Sequence, residues 1–138
     1  MANFESSKDS LSFEEAGTPY NIRHRCFYFS KEIVGFVKSH EYERIEFSMF
    51  DQLLRSATSI GANVVEGNAG SSKKDWLKFL VIALKSANET KYWLCLIRDT
   101  SKVDAKRIEN FIKEADEISK IIASIIVNVK KRIGNEGK

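Results

Sequence analysis

Proline is nearly missing from this 138-residue chain, with Pro19 its one copy. A proline inside a helix removes a backbone donor and clashes with the turn before it. Nothing after residue 19 therefore forces a helix to break. Cysteine is also scarce. Cys26 and Cys95 show neither C-x-x-C nor metal-ligand spacing, which argues against a zinc ribbon or a disulfide scaffold. Both sit in apolar helical patterns, where a free thiol acts as a small hydrophobe. That usage fits a reducing cytoplasm. His24 and His40 are the only imidazoles. Neither stands in a metal or triad-like spacing, and no local arrangement pairs a nucleophile with a base. No apolar stretch reaches the roughly 18 residues of a membrane span. The best, Trp76–Leu84, is short and includes Lys78. The first twenty residues are acidic and hold no apolar segment of signal-peptide type. These absences lead to a cytoplasmic protein with no catalytic residues, no metal, no cofactor and no membrane partner.

What is present is helical. Apolar residues make up 43% and charged residues 30% of the chain, the balance of a folded domain rather than a disordered one. No alternating strand pattern occurs. Residues 1–20 hold Glu5, Asp9, Glu14 and Glu15 against Lys8, a net of −3, and end near Gly17–Pro19. They read as a flexible acidic leader. The whole chain carries +3, so the remainder carries +6. A mildly basic body permits nucleic acid as a partner without demanding it.

Four amphipathic segments follow, and the bundle is expected over residues 21–134 with a tail at 135–138. The first helix, about 21–39, carries Ile22, Cys26, Phe29, Ile33 and Phe36 at steps of four and three, the period of a seam between helices. Gly35 inside it suggests a close contact. The second, about 44–66, carries Phe50, Leu53, Ala57, Ile60 and Val64. Gly67 then reads as a left-handed C-cap. The third runs from a Ser72–Asp75 capping signal to about residue 98 and is apolar nearly all round from Trp76 to Leu84. The fourth, about 102–133, opens on a second such signal at Ser101–Asp104. Its seam is Ile108, Phe111, Ala115, Ile118, Ile122, Ile125 and Val129. Four long helices with short joints give an all-α, antiparallel up-down four-helix bundle. The extra apolar faces on helices three and four suggest self-association.

Candidate binding residues are basic. Arg23 and Arg25 open the first helix, Lys73 and Lys74 the third, and Lys130, Lys131 and Arg132 close the fourth, with Lys138 beyond. Phosphates are held by such cations and by free N–H groups at helix starts, here with Ser71 and Ser72. Gly67–Lys74 does not have the spacing of a nucleotide-binding P-loop, and a helix rather than a strand precedes it. The bland alternative is a capped turn. Asn88-Glu89-Thr90 matches a glycosylation sequon but falls mid-helix and is set aside. Ser56, Ala57, Ser59, Gly61 and Ala62 are small, which lets helices approach closely. Arg55, Asn63 and Glu66 are expected to form a polar network with Glu89 or Lys85 on the third helix.

Phe50–Leu94 resembles the bacterial four-helix bundle proteins, also called 23S rRNA-intervening-sequence proteins. Gln52, Leu53, Arg55, Ser59, Ile60, Ala62, Asn63, Glu66 and Gly67 match the family pattern. So do Ser72, Lys74, Phe79, Leu80, Ile82, Ala83, Ser86 and Glu89, allowing small shifts of alignment. The likeness covers helices two and three, about a third of the chain. Many members carry proline where this chain has Gly61, so a kink or a close contact is expected there. The resemblance implies a four-helix bundle, commonly a homopentameric ring. Some members are encoded within insertions in 23S rRNA genes. A related branch, the accessory protein of diversity-generating retroelements, is a basic pentameric barrel that binds nucleic acid and a reverse transcriptase. The resulting expectation is a self-associating RNA- or DNA-binding accessory protein, and the alternative is a protein–protein interaction module with no nucleic-acid role.

Overall fold

Asn21 starts the first helix by accepting hydrogen bonds at its side-chain oxygen from the N–H groups of Arg23 (3.1 Å) and His24 (3.3 Å). This satisfies two of the donors that every helix start leaves orphaned. In the computed structural model, which describes residues 21–69 and 72–136, that helix is α1 (Ile22–Ser39). It is followed by a 3₁₀ turn (Arg44–Glu46), then α2 (Phe47–Asn68), α3 (Lys73–Thr100) and α4 (Ala105–Glu136). The expected leader 1–20, Ser71 and Lys138 lie outside the described residues. No strand occurs among the described residues.

The bundle is an antiparallel up-down arrangement. Successive helices pack on one another, α1 closes the ring against α4, and the diagonal pairs do not meet. The α2–α3 and α3–α4 seams are extensive, while α1 is held more lightly. The stripes expected on α1 and α2 are buried throughout. Burying a side chain the size of Leu or Phe contributes about 1.5–3 kcal/mol, so this core is the main source of stability. Two apolar expectations change. On α4 the buried position is Ile126, with Ile125 only half-buried; both fit the helical period between Ile122 and Val129, and packing against the neighbouring helices selects Ile126. On α3 the all-apolar first half is not buried all round: Ile82 is exposed, and Trp76, Leu77, Phe79, Val81 and Leu84 are half-buried.

Helix ends shift for identifiable reasons. The expected start of α2 at residue 44 is a separate 3₁₀ turn, closed by the Glu46 carboxylate accepting from the Glu43 N–H at 2.9 Å. Ser72 caps α3 as expected, accepting from the Asp75 N–H at 3.1 Å. For α4 the cap is Asp104, which accepts from the Lys106 and Arg107 N–H groups at 3.1 and 3.4 Å. Ser101 instead terminates α3. The helix α4 runs to Glu136, past the expected bundle boundary at 134.

Gly67 is not a left-handed cap, because it lies inside α2. A Cβ there would stand 2.7 Å from Phe79 Cβ and 2.8 Å from the Trp76 ring. Glycine is required by close approach, not by backbone conformation. Gly61 likewise faces a neighbour: its Cβ would lie 3.1 Å from Cys26 Cβ on α1. The family position often filled by proline is therefore a close contact here. Gly35 borders open space and marks no contact.

Candidate nucleic-acid interface

An antiparallel bundle sends the start of α1, the end of α2, the start of α3 and the end of α4 to the same end. Lys73 and Lys74 and Lys130, Lys131 and Arg132 come from two separate stretches of sequence and meet at that end, where Lys73 pairs with Glu136. Arg23 and Arg25 do not join them, because α1 is the shortest helix and starts beside Glu114 and Glu117, in the first half of α4. Lys78, which no sequence pattern singles out, stands one turn into α3 at the same end. The carboxylates there are Glu66, Asp75 and Glu136, fewer than the cations. Binding of a polyanion depends on such a local excess.

The candidates are not equivalent. The Arg25 guanidinium donates to both oxygens of Glu114, at 2.7 and 2.8 Å, and to Glu117 at 3.4 Å. This bidentate geometry fixes α1 to α4 and raises the Arg25 pKa above its ordinary value, chiefly through the Glu114 hydrogen bond. Arg25 is thus committed to the fold and is removed from the binding set. Its partners lie 89 and 92 residues away, beyond any local sequence signal, although Glu114 and Glu117 share a helix face by their spacing of three. Lys73 pairs with Glu136, joining the start of α3 to the end of α4. Arg23, Lys74, Lys130, Lys131 and Arg132 form no ion pair among the described residues. Lys74, Lys130, Lys131 and Arg132 are exposed, and Arg23 is half-buried.

The expected polar network takes a different form. The Arg55 side chain is 73% exposed and pairs with Asp51 one turn back on its own helix. Glu66 is exposed, and Glu89 accepts from the Trp93 indole N–H at 3.1 Å. None of these three joins Asn63. The physical reason is direction: on their helices these positions point to solvent, where a charge needs no buried partner. The polar groups that do cross between α2 and α3 are hydroxyls. Asn63 donates to Ser59 O (2.8 Å) and Ser59 Oγ (2.9 Å), and Ser59 Oγ lies 2.9 Å from Ser86 Oγ. Thr90 Oγ1 lies 2.7 Å from Ser86 O and 3.1 Å from Ser56 Oγ.

The opposite end is built from rings. Tyr42 stacks on Phe50 at 4.6 Å with 8° between planes, and His40 on Phe50 at 5.3 Å with 14°. Phe36 lies against both His40 and Phe50, and Arg107 sits 5.2 Å over the Phe36 ring. His40 is a packing residue there. An open hollow of about 750 Å³ beside this stack is lined by Tyr42, Ile45, Met49 and Lys102, among others. No group of His, Cys, Asp or Glu among the described residues is arranged to hold a metal ion. No helix among them is long and apolar enough to cross a membrane.

The sequence and fold are similar to those of a protein of unknown function from the S23 ribosomal protein family of Bacteroides thetaiotaomicron VPI-5482. That crystal structure is 40% identical, with a TM-score of 0.71, covering 76% of this chain and 97% of that one. No curated protein matches the sequence. The family model for the 23S rRNA-intervening sequence protein matches residues 19–124, most of the chain, so the protein belongs to that family.

Proposed function

We propose that the protein is a non-enzymatic, cytoplasmic helical bundle that self-associates and binds RNA or DNA through its basic end. The supporting observation is the charge imbalance of that end, where Lys74, Lys130, Lys131 and Arg132 have no carboxylate partner among the described residues. Phosphate contacts are sequence-independent, so this surface recognises backbone charge and shape rather than base identity. Self-association as a ring, pentameric by family resemblance, would multiply the basic ends and raise the local field. Five bodies of +6 give about +30 before screening.

The test is electrophoretic binding to structured RNA and to duplex DNA between about 50 and 500 mM salt. Binding should weaken steeply with salt. Replacing Lys74, Lys130, Lys131 and Arg132 by Gln should cut affinity at least tenfold and flatten the salt slope by about 0.7–0.9 for each phosphate no longer neutralised. No binding by the unaltered protein at about 50 mM salt, where counterion release is most favourable, rejects the reading. A light-scattering mass of one chain rejects the ring.

A second reading is a protein interaction module. Tyr28, Ile45, Phe47, Tyr92 and Val127 are each exposed by half or more, and apolar side chains of this size favour a protein partner where they cluster. Ile45 and Phe47 lie beside the ring-stacked end, away from the cations. Salt-insensitive association through that end would favour this reading over the first.

A further inference from the structure

We propose that the Trp76 indole is a base-stacking platform, so that the basic end takes single-stranded nucleic acid in preference to duplex. Stacking at this end rests on the nucleic-acid reading above and narrows its ligand to one class of strand.

Trp76 stands in the first turn of α3, three residues after Lys73. Residues three apart on a helix are neighbours, with about 5–6 Å between Cβ atoms. Of the four helices, only α2, α3 and α4 reach this end, because α1 starts beside Glu114 and Glu117 in the first half of α4. A ring at this level lacks the fourth helix that would enclose it. Trp76 is accordingly half-buried, where Phe50 at the other end is fully buried.

The ring is nevertheless held in place. A Cβ on Gly67 would lie 2.8 and 3.2 Å from its Cε3 and Cζ3 atoms. Buried indole N–H groups find a hydrogen-bond partner, as Trp93 does with Glu89. The Trp76 N–H has none among the described residues and is not a buried atom. One edge of the indole is thus clamped on α2, and another meets solvent. Clamping pre-orders the ring, which lowers the cost of placing a base against it.

Charge supplies the other half of the site. Lys73 and Lys74 precede the ring on α3, and Lys130, Lys131 and Arg132 lie at the same end on α4. Lys73 is shared with Glu136, so Lys74 and the α4 cations carry most of the phosphate contact. Surfaces that take single strands without sequence preference combine such cations with aromatic rings, because every base has a π-face. In a duplex those faces are covered by neighbouring base pairs, and only the cations can act. If Trp76 served solely to close the core, its loss would lower stability and leave the choice between strands unchanged.

The chain has two tryptophans, and Trp93 lies about 25 Å further along α3. A W93F chain therefore reports from Trp76 alone. The probes are a thymidine oligonucleotide and a duplex of equal phosphate number, at about 100 mM salt. The single strand should quench Trp76 emission to saturation and bind more tightly than the duplex, which should bind without quenching. W76L should weaken single-strand binding about five- to 150-fold. It should change duplex binding less than twofold and leave the salt slope unaltered, since no phosphate contact is lost. W76F guards against misfolding. It keeps a ring on Gly67 and should give a single-strand affinity between those of the unaltered chain and W76L.

Binding of the single strand with unchanged Trp76 emission overturns the proposal. So does an equal loss of single-strand and duplex affinity in W76F, which marks the ring as structural. Duplex bound as tightly as the single strand by the unaltered chain also overturns it, and leaves the nucleic-acid reading standing. If neither probe binds at about 50 mM salt, stacking and the nucleic-acid reading fall together.

Discussion

The two ends of the bundle use the same four helices and solve opposite problems. At the ring-stacked end, Phe36, His40, Tyr42 and Phe50 stack in register, and Arg107 lies over Phe36. Charges there balance in number: the carboxylates of Glu41, Glu43, Glu46, Asp99, Asp104 and Glu109 equal the cations Lys38, Arg44, Arg98, Lys102, Lys106 and Arg107. Arg98 holds the Asp99 carboxylate below its usual range. At the basic end, by contrast, packing is achieved by a glycine slot, and the cations outnumber the carboxylates although Lys73 pairs with Glu136. One end is organised for order, and the other carries an electrostatic surplus that folding alone does not explain.

The largest effect should come from the ring-stacked end. Phe50→Ala removes a fully buried ring that touches three others. Denaturant unfolding should show a loss of about 3–5 kcal/mol, while the salt slope of RNA binding stays unchanged. A changed slope would mean that the two ends are not separable.

The next effect separates folded from unfolded chemistry on α1. Burial pushes the Cys26 thiol up to about 12, against about 8.5 in an unfolded chain. The folded state therefore keeps a proton that the unfolded state loses. Stability from this source is intact below about pH 8.5 and falls by about 1.4 kcal/mol per pH unit up to about 12. Comparing unfolding of the native chain and Cys26→Ala across that window isolates the contribution. Parallel pH profiles would show that the thiol is not held neutral.

Smaller again is the glycine slot of the basic end. Gly67→Ala forces a methyl against Phe79 and Trp76, and overpacking of that kind costs about 1–3 kcal/mol. Gly61→Ala should cost less, since 3.1 Å from Cys26 asks for a smaller shift and alanine favours helix. Gly35→Ala meets open space and should stabilise by about 0.5–1 kcal/mol. Thermal midpoints in the reverse order would break the close-packing account. The smallest change in stability, within about 0.5 kcal/mol, should follow replacement of Lys74, Lys130, Lys131 and Arg132 by Gln. A surplus needed for binding and not for folding gives that dissociation.

How far the sequence can be read follows from the range of each signal. The stripes of α1 and α2 are legible residue by residue because periodicity is a property of one helix. Ser72 is legible as a cap because its partner is three residues on. Gly67 reads wrongly because glycine serves both left-handed turns and close approach, and only the position of Trp76 and Phe79 distinguishes the two. The Arg25–Glu114 pair and the placement of Asn63 on Ser59, with Ser59 meeting Ser86, depend on how helices cross. A single helix pattern does not encode that crossing. The meeting of Lys73 and Lys74 with Lys130, Lys131 and Arg132 is implicit in the antiparallel passes of α3 and α4, whereas the unequal lengths of α1 and α4 leave Arg23 apart.

The hydroxyl contacts between α2 and α3 have a consequence for alignment. Apolar seams repeat every turn or two, so two such helices can slide by one repeat and still bury oil against oil. Ser59 meets Ser86, and Ser56 meets Thr90, at a single axial setting. Each cross-helix hydrogen bond is worth only about 0.5–1.5 kcal/mol. That is too little to hold the hairpin together and enough to index it, as a notch indexes a sliding scale.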